Sequence, residues 1–234
     1  MLHGFGDTPQ TLNVLAHRIA EAGFRVRVAL LPGHGRTPEE FFASTAAEWV
    51  RSARDALLEL RAVCSSVAVI GLSMGGAIGV LLAAEFSDTA ALVLLSPYVR
   101  MPFKLQLAAA TNKLWGSWAG TLRSRHPESI RDPEEQRKNL GYGVTNGHAL
   151  GELARVVGWS RAALGQVSCP TLVVQSRKDP RIHPSVAIEA LRLLRTPKKK
   201  LVWVEGGGHI ISVDYGREKV FSETIAWLLA NSAG

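Results

Sequence analysis

Five short apolar runs alternate along the chain with longer segments of helical periodicity. The runs are rich in valine and leucine and are bounded by glycine, proline or serine, which is typical of strands buried on both faces. They lie at 25–31, 66–71, 90–95, 171–176 and 200–204. Strands that alternate with helices predict an α/β fold with a mostly parallel, doubly wound sheet and right-handed crossovers.

The segments between these runs place apolar residues three or four positions apart, the spacing of helices that pack one face on a sheet. The first helix, 8–22, begins at Asp7 or Thr8, either of which is a suitable N-cap, and has Pro9 in its first turn. Residues 73–86 are apolar nearly all round, so we expect a buried helix. Further helices are predicted at 45–61, 184–194 and 217–229.

One long segment interrupts this alternation. Between the third and fourth predicted strands, helical patterns at 101–119 and 147–164 flank a polar stretch. We therefore divide the chain into a core, 1–97 and 168–234, and an inserted helical cap, 98–167. The insertion contains Trp115, Trp118 and Trp159, which fit an acyl or aromatic pocket, although ordinary packing explains them equally well.

Composition narrows the class of protein. The chain has 234 residues, of which 47% are hydrophobic and 20% charged, as in a globular domain with a sizeable core and unlike a disordered chain. Neither a membrane-spanning run nor a signal segment is recognisable, so we expect a cytoplasmic protein. The net charge of +7 is explained most simply by basic side chains on the solvent-exposed surface. Attraction of anionic substrates or lipid surfaces is the alternative. Because the basic residues are not interleaved with aromatic ones, we do not expect nucleic-acid binding.

The two cysteines and most histidines give no sign of a metal or cofactor site. Cys64 and Cys169 have neither a C-x-x-C spacing nor histidine companions, and we expect reduced thiols, with a disulfide as the alternative. No H-E-x-x-H run occurs. We expect the protein to act without a metal or an organic cofactor, and the sequence leaves its oligomeric state open.

A G-x-S-x-G motif, Gly71 to Gly75, follows the second predicted strand and begins the apolar helix. In this position the motif predicts a nucleophile elbow, a strained strand-to-helix turn in which the two glycines let strand and helix approach. Ser73 would then stand at a helix N-terminus, where backbone N–H groups favour negative charge. The alternative is a tight turn whose serine only caps the helix.

A neutral serine needs a base, and the base needs an acid that orients it. Asp179 follows the fourth predicted strand and His209 follows the fifth. Both therefore lie at the carboxyl ends of strands, where open α/β sheets place their ligands. We predict Ser73, His209 and Asp179 as a catalytic triad.

Other polar residues near these positions receive different roles. We expect His183 to lie on the surface and His34, in the turn "LPGHGRTP", to have a structural role rather than a catalytic one. Asp214 is expected to cap the last helix.

Acyl transfer also needs two donors for the developing oxyanion. We predict the backbone N–H of Met74, which follows the nucleophile, and that of Phe5 in the loop His3-Gly4-Phe5-Gly6. A phosphate or dinucleotide turn is the alternative for this loop, but a third glycine at the required spacing is missing.

Five segments together resemble the α/β-hydrolases, and more narrowly the bacterial carboxylesterase and monoacylglycerol-lipase-like group. They are "HGFGDTPQ", "LPGHGRTPEEF", "GLSMGG", "QSRKDPRIHP" and "GGGHII". The resemblance spans nearly the whole chain and implies an eight-stranded, mostly parallel sheet with a mobile helical cap. It implies the same triad and the same oxyanion amides as the residues themselves.

The sequence departs from this group at three places. Asp7 stands where a small neutral residue is common, and we expect it to cap the first helix; Ser176 replaces a common glycine. Only Met1 and Leu2 precede His3, where the group has a hairpin and a full strand. The expected strand would lie between 25–31 and 66–70, so we expect unpaired ladder groups and an N-terminally shortened fragment.

The sequence therefore predicts a serine hydrolase that cleaves carboxylic esters, with short or medium acyl chains or monoacylglycerols as substrates. Other triad chemistry on the same fold stays open, namely a thioesterase, a C–C hydrolase, a lactonase or an acyltransferase. A non-catalytic ligand-binding relative, or an inactive fragment, is the alternative from a different class.

Overall fold

The computed structural model describes residues 1–115, 120–124 and 126–232. Its centre is a parallel sheet of four strands in the order β1-β2-β5-β6. In register, Ile70 pairs with Val93 and Val93 with Leu172. The strands of the sheet are β1 Val69–Leu72, β2 Leu92–Leu95, β5 Thr171–Ser176 and β6 Lys199–Val204.

Helices cover both faces of this sheet. Apolar residues of α1 and α10 pack on one face, and those of α3, α4, α8 and α9 form the core on the other. The helices are α1 Asn13–Glu21, α2 Pro38–Ala43, α3 Ala46–Arg61, α4 Met74–Glu85, α5 Phe103–Ala110, α6 Asn112–Trp115, α7 Pro133–Lys138, α8 Gly147–Ala163, α9 Ser185–Leu193 and α10 Arg217–Ser232. The predicted doubly wound parallel arrangement is confirmed.

The first predicted strand, 25–31, is wrong in part. In the described chain these residues have no regular secondary structure, and their one β-bridge is at Ala29, which pairs in parallel with Leu2. Leu2 also bridges Gly71, so the N-terminal segment lies between 25–31 and β1, as predicted. Because Leu2 makes one bridge on each side, no ladder of successive pairs forms there. The described sheet has four strands rather than the eight that the resemblance implies, and the segments at Leu2 and at 25–31 are two of the expected strands that do not form.

The segment between β2 and β5 contains both helices and a small antiparallel pair, β3 Leu122–Arg123 with β4 Val144–Thr145, which the sequence patterns did not predict. Part of it packs on the core, because buried residues of α8 join the same apolar cluster as α4. The division at 98 and 167 into core and cap stays a prediction.

The described tryptophans of this segment do not line the main cavity of the protein. Trp115 donates its indole N–H to the Ala108 carbonyl at 3.0 Å, and Trp159 lies on an exposed part of α8. Packing and surface positions therefore explain both residues. Trp118 lies outside the described residues.

The free thiols and the surface histidine agree with the sequence predictions. Cys64 is half-buried and Cys169 buried, and neither forms a disulfide. His183 is exposed and contacts the Ser185 hydroxyl through Nδ1. Among the described residues, no helix is long and apolar enough to cross a membrane.

The close approach of α4 to β1 depends on the absence of side chains. A Cβ at Gly71 would lie 2.2 Å from the Gly75 carbonyl oxygen, a backbone atom that cannot move aside cheaply. We therefore expect Gly71→Ala to lower the free energy of unfolding by at least ~2 kcal/mol, measured by urea denaturation.

Gly158→Ala is the matched control, since a Cβ at this exposed position of α8 would meet no atom within 4 Å. It should raise the free energy of unfolding by ~0.5–1 kcal/mol, because alanine is the better helix former. Equal stability of the two variants would contradict the steric explanation.

Candidate active site

Ser73 lies in the strained turn between β1 and α4. Its φ is +54° and its ψ −114°, a conformation that costs a non-glycine residue ~1–3 kcal/mol. The flanking glycines allow it, since a Cβ at Gly75 would lie 2.2 Å from the Leu2 carbonyl oxygen. The predicted strand–turn–helix context of the motif is therefore present.

The structure brings Ser73, His209 and Asp179 together in one hydrogen-bonded chain. The Ser73 Oγ lies 2.9 Å from His209 Nε2, and His209 Nδ1 lies 2.8 Å from Asp179 Oδ2. Each of the three is less than a tenth exposed. Ser73 follows β1, while Asp179 and His209 lie in the loops after β5 and β6. In this geometry the proton on Nδ1 points at the carboxylate, and Nε2 faces the hydroxyl.

Asp179 is held in its ionised form by several donors. Its Oδ1 accepts from the backbone N–H groups of Arg181 at 2.8 Å and Ile182 at 2.9 Å. Its Oδ2 also accepts from the Gln175 side-chain amide at 2.8 Å. Burial raises the pKa of this carboxyl, but the His209 charge and the hydrogen bonds outweigh burial and leave the pKa below its usual value. The group is therefore an anion at neutral pH.

The loop that carries Phe5 is fixed by two buried histidines. The Gly6 amide donates to His34 Nε2 at 3.1 Å, and the Leu31 amide donates to His3 Nε2 at the same distance. Because each Nε2 accepts, each Nδ1 carries the proton, which it donates to the carbonyl of Pro32 or Gly4. His34 thus has the structural role that was predicted.

The two amides predicted for the oxyanion belong to residues that neighbour Ser73 in the cavity or in the chain. Phe5 lines the cavity next to Ser73, and Met74 is the first residue of α4. In the described part of the chain, neither amide donates a hydrogen bond to another protein group. Both are therefore free to bind an acceptor, and their function as oxyanion donors stays a prediction.

Asp214 does not cap the last helix, and that prediction is wrong. Its carboxylate instead accepts from four backbone amides and is almost fully buried. The donors are Arg131 and Gly208 to Oδ2, and Asp132 and Tyr215 to Oδ1, at 2.6–2.9 Å. A carboxylate satisfies four donors where a helix cap would satisfy one or two, which explains its position. It joins the inserted segment to the loop of His209.

A second set of hydrogen bonds, next to those of Asp214, connects the inserted segment to the loop of His209. The Ser129 carbonyl accepts from the backbone amides of both His209 and Ile210, each at 2.9 Å. The inserted segment is therefore attached directly to the residue that contacts Ser73.

A cavity of about 580 Å³ opens over Ser73 and His209. Its apolar lining includes Tyr98, Leu105, Leu122, Leu150, Leu153 and Ile182. Asp7 also lines it, so the expectation that Asp7 caps the first helix is wrong: the N-cap is Thr8, whose hydroxyl accepts from the Gln10 amide. Thr8 takes this role because its short side chain reaches the first free amide of the turn.

Sequence reasoning missed three residues of this site, namely Gln175, Asp214 and Asn139, which lines the cavity. Gln175 could have been found, since its long polar side chain directly follows the apolar residues Leu172 to Val174 in a strand that is buried along its whole length. Asp214 gave no comparable signal, because two of its donors, the amides of Arg131 and Asp132, lie 83 and 82 residues away. Asn139 lies in a polar stretch of the sequence, and no local pattern marks it as a cavity residue. Within the described ranges, no group of three His, Cys, Asp or Glu side chains could hold a metal ion.

Asp214 gives a direct test of how the site is held. Asp214→Asn replaces an acceptor oxygen with a donor and leaves buried amides without partners, which costs ~1–3 kcal/mol for each amide. We expect the free energy of unfolding to fall by ~2–4 kcal/mol, and kcat/KM to fall because the His209 loop is less well fixed. Asp88→Asn, at an exposed ion pair with Arg61, is the control and should leave the free energy of unfolding nearly unchanged. Equal stability of the two variants would contradict this role.

His34 gives a test based on pH. Burial lowers its pKa to about 4, while the hydrogen bonds to backbone groups oppose this shift only in part. Between pH ~6.5 and ~4 the unfolded chain binds a proton at His34 that the folded chain does not bind. The free energy of unfolding therefore has its full value above pH ~6.5 and falls as the pH drops towards ~4. The contribution of His34 amounts to about 3 kcal/mol over that range.

His34→Gln keeps an acceptor for Gly6 but does not titrate, so we expect a shallower fall of unfolding free energy between pH ~6.5 and ~4. Denaturation in urea at several pH values measures it. His17→Gln, at an exposed position of α1, is the control. The same pH dependence in wild type and His34→Gln would be evidence against a neutral, buried His34.

Several known proteins are similar to this chain along nearly its whole length. The thermostable monoacylglycerol lipase of Bacillus sp. (strain H-257) is 27% identical over 234 residues, which are all of this chain and 90% of that protein. The carboxylesterase of Bacillus subtilis (strain 168) is 26% identical over 229 residues, 97% of this chain and 90% of that protein.

Solved structures give the same result for the fold. A structure of the metagenome-derived lipolytic enzymes LipS and LipT matches with a TM-score of 0.90 and 29% identity, covering 98% of this chain and 92% of that one. The monoacylglycerol lipase of Paleococcus ferrophilus matches with a TM-score of 0.83 at 20% identity, covering 99% and 93%. The predicted α/β-hydrolase fold is confirmed, and the predicted ester hydrolase agrees with the names of these relatives.

A family model supplies the assignment. The model described as Serine aminopeptidase, S33 (Hydrolase_4) matches residues 1–215, which is most of the chain. The motifs from the glycine-rich loop to the histidine loop all lie inside the matched range. The chain therefore belongs to the Hydrolase_4 family of α/β-hydrolases.

Proposed function

We propose that this protein is a serine hydrolase that cleaves carboxylic esters through an acyl-enzyme. The observation that carries the proposal is the hydrogen-bonded chain from Ser73 through His209 to Asp179, which opens into a largely apolar cavity of about 580 Å³. A cavity of this size accommodates an acyl chain of short or medium length, or a monoacylglycerol. The names of the relatives, monoacylglycerol lipase and carboxylesterase, support the same substrate class.

The reaction begins with the proton of Ser73. Nε2 of His209 accepts it as Oγ attacks the ester carbonyl carbon, and a C–O bond forms. The anionic Asp179 holds the Nδ1 proton in place and stabilises the imidazolium. The negative charge that moves to the carbonyl oxygen is bound by the amides of Phe5 and Met74, each of which is worth ~10²–10³ in rate.

The second half of the reaction regenerates the serine. The imidazolium of His209 gives its proton to the leaving alcohol as the tetrahedral intermediate collapses to an acyl-Ser73 ester. Water then attacks this ester and gives a proton to His209, which passes it to the Ser73 oxygen as the C–O bond breaks and the carboxylic acid leaves. The residues themselves supply the nucleophile, the base and the oxyanion donors for each of these steps.

Peptide cleavage is the second candidate, since the family model is described as a serine aminopeptidase. An aminopeptidase must bind the amino terminus of its substrate, and a carboxylate such as Asp7 in the cavity is suited to that. Largely apolar walls favour the ester instead. Hydrolysis of amino-acid p-nitroanilides faster than p-nitrophenyl octanoate would decide for the peptidase.

Ser73→Ala tests the assignment. We expect hydrolysis of p-nitrophenyl esters of graded chain length to fall by at least ~10³-fold, because the attacking oxygen is lost. A fluorophosphonate probe should label wild type at Ser73 and leave the variant unlabelled. Ser65→Ala, in the exposed loop before β1, is the matched control and should keep full activity.

Two outcomes would overturn the proposal. Activity that survives in Ser73→Ala would assign the reaction to another group. A wild-type protein that folds but neither reacts with the probe nor hydrolyses any ester would indicate a non-catalytic relative.

A further inference from the structure

Gln175 is a buried polar side chain that packing alone does not explain. It lies near the carboxyl end of β5, in register with Trp203 of β6, and is fully buried. Its Oε1 has no hydrogen-bond partner in the described part of the chain. A buried polar atom without a partner destabilises a fold, and a leucine or methionine would occupy the same place without that penalty. The other half of the amide therefore has to account for this residue.

The other half of the amide contacts the acid of the proposed triad. Nε2 of Gln175 donates to Asp179 Oδ2 at 2.8 Å, and the same oxygen accepts from His209 Nδ1 at 2.8 Å. Oδ2 therefore lies between an amide on the sheet and the imidazole. The Ser176 carbonyl, 3.4 Å from Nε2, is a weaker second acceptor.

The remaining donors to Asp179 belong to its own loop. Oδ1 accepts from the backbone amides of Arg181 and Ile182, two and three residues further along the chain. These amides would follow a movement of the loop together with the carboxylate. The backbone of Gln175, in contrast, is part of the ladder between β5 and β6. Among the described residues, it is the only donor that connects this carboxylate to a strand of the sheet.

The position of Oδ2 determines where the imidazole points. His209 Nδ1 donates to it, and Nε2 on the other side of the ring lies 2.9 Å from Ser73 Oγ. A displaced carboxylate would therefore displace the ring, and nucleophilic attack is sensitive to displacements of about 1 Å. Gln175 is not one of the residues that line the cavity. Loss of its amide should therefore affect the chemical steps and leave substrate binding nearly unchanged.

We propose that Gln175 is a positioning residue, whose side-chain amide holds Asp179 against the sheet and thereby keeps His209 directed at Ser73. This inference rests on the proposed serine-hydrolase function. It gives a reason for a glutamine inside a fully buried strand, where one half of its amide stays unpaired. Gln175 acts through Asp179 and His209 and does not contact the substrate.

Gln175→Met tests the inference, because it removes the amide and keeps the length of the side chain. With p-nitrophenyl octanoate we expect kcat to fall ~10-fold, while KM stays within ~3-fold of the wild-type value. The fluorophosphonate probe should label Ser73 of the variant more slowly by a similar factor, because labelling uses the same attack by Oγ. If Gln175→Met does not fold, Gln175→Leu removes the same contact with a smaller side chain, and the same changes are expected.

Gln175→Glu is the conservative variant. Burial and the neighbouring Asp179 anion both favour the protonated form of the introduced carboxyl, whose O–H can donate to Oδ2 in place of the amide. We therefore expect Gln175→Glu to keep kcat within ~3-fold of wild type at pH 7. A kcat as low as that of Gln175→Met would contradict the explanation by a hydrogen bond.

Thr171→Val is the matched control in the same strand. Thr171 is fully buried at the other end of β5, and its hydroxyl donates to the Cys169 carbonyl at 3.0 Å. The substitution removes a buried hydrogen bond from β5 without changing a contact of Asp179. We therefore expect a lower urea midpoint and an unchanged kcat. Equal losses of kcat in Thr171→Val and Gln175→Met would mean that any damage to β5 lowers the rate, and the inference would be wrong.

The behaviour of wild type separates this inference from the proposed function. If wild type hydrolyses the ester and Gln175→Met has the same kcat, or if only KM changes, the inference fails while the proposed function stands. If wild type folds but neither hydrolyses esters nor reacts with the fluorophosphonate probe, the proposed function fails as well.

Discussion

The site depends on how closely the backbone of α4 approaches the sheet. Gly71 and Gly75 have no side chain at the two points where strand and helix touch, and a Cβ at either would overlap backbone oxygen. This contact forces the turn at Ser73 into a positive φ, which raises its hydroxyl above the carboxyl edge of the sheet. The cost of that turn, ~1–3 kcal/mol, is offset by the burial of α4, which is apolar on all sides.

Around this contact, hydrogen bonds from distant segments fix the remaining groups. His3 and His34 hold the glycine-rich loop through backbone amides, and Asp179 is held by the amides of two residues that follow it. Ser176 adds another tie, since its hydroxyl donates to the Gly207 carbonyl and links the loop of Asp179 to the loop of His209. Groups fixed in this way need little reorganisation when charge develops next to them.

The sequence predicted the sheet, the elbow and the meeting of Ser73, Asp179 and His209, because each follows from local chemistry. A glycine-rich turn between an apolar strand and an apolar helix has few alternatives, and residues after parallel strands must share one edge. The catalytic roles of these residues stay predictions. The prediction of a strand at 25–31 was wrong in part because a strand needs a neighbouring strand to pair with. The neighbouring segment at Leu2 provides a single bridge on each side. The predictions that Asp214 and Asp7 cap helices were wrong because residues far along the chain form the surroundings of both side chains.

The hydrogen bonds between the inserted segment and the loop of His209 restrict how a substrate can enter the cavity. Residues 128–132 are attached to the backbone around His209 through the Ser129 carbonyl and the Asp214 carboxylate. If this part swung away, it would pull His209 from Ser73, and an open form would lose the hydrogen bond between them. Entry past an intact site therefore has to use another edge of the cavity. The edge near Pro102 and Leu105, where α5 begins, has no such attachment to the histidine loop among the described residues.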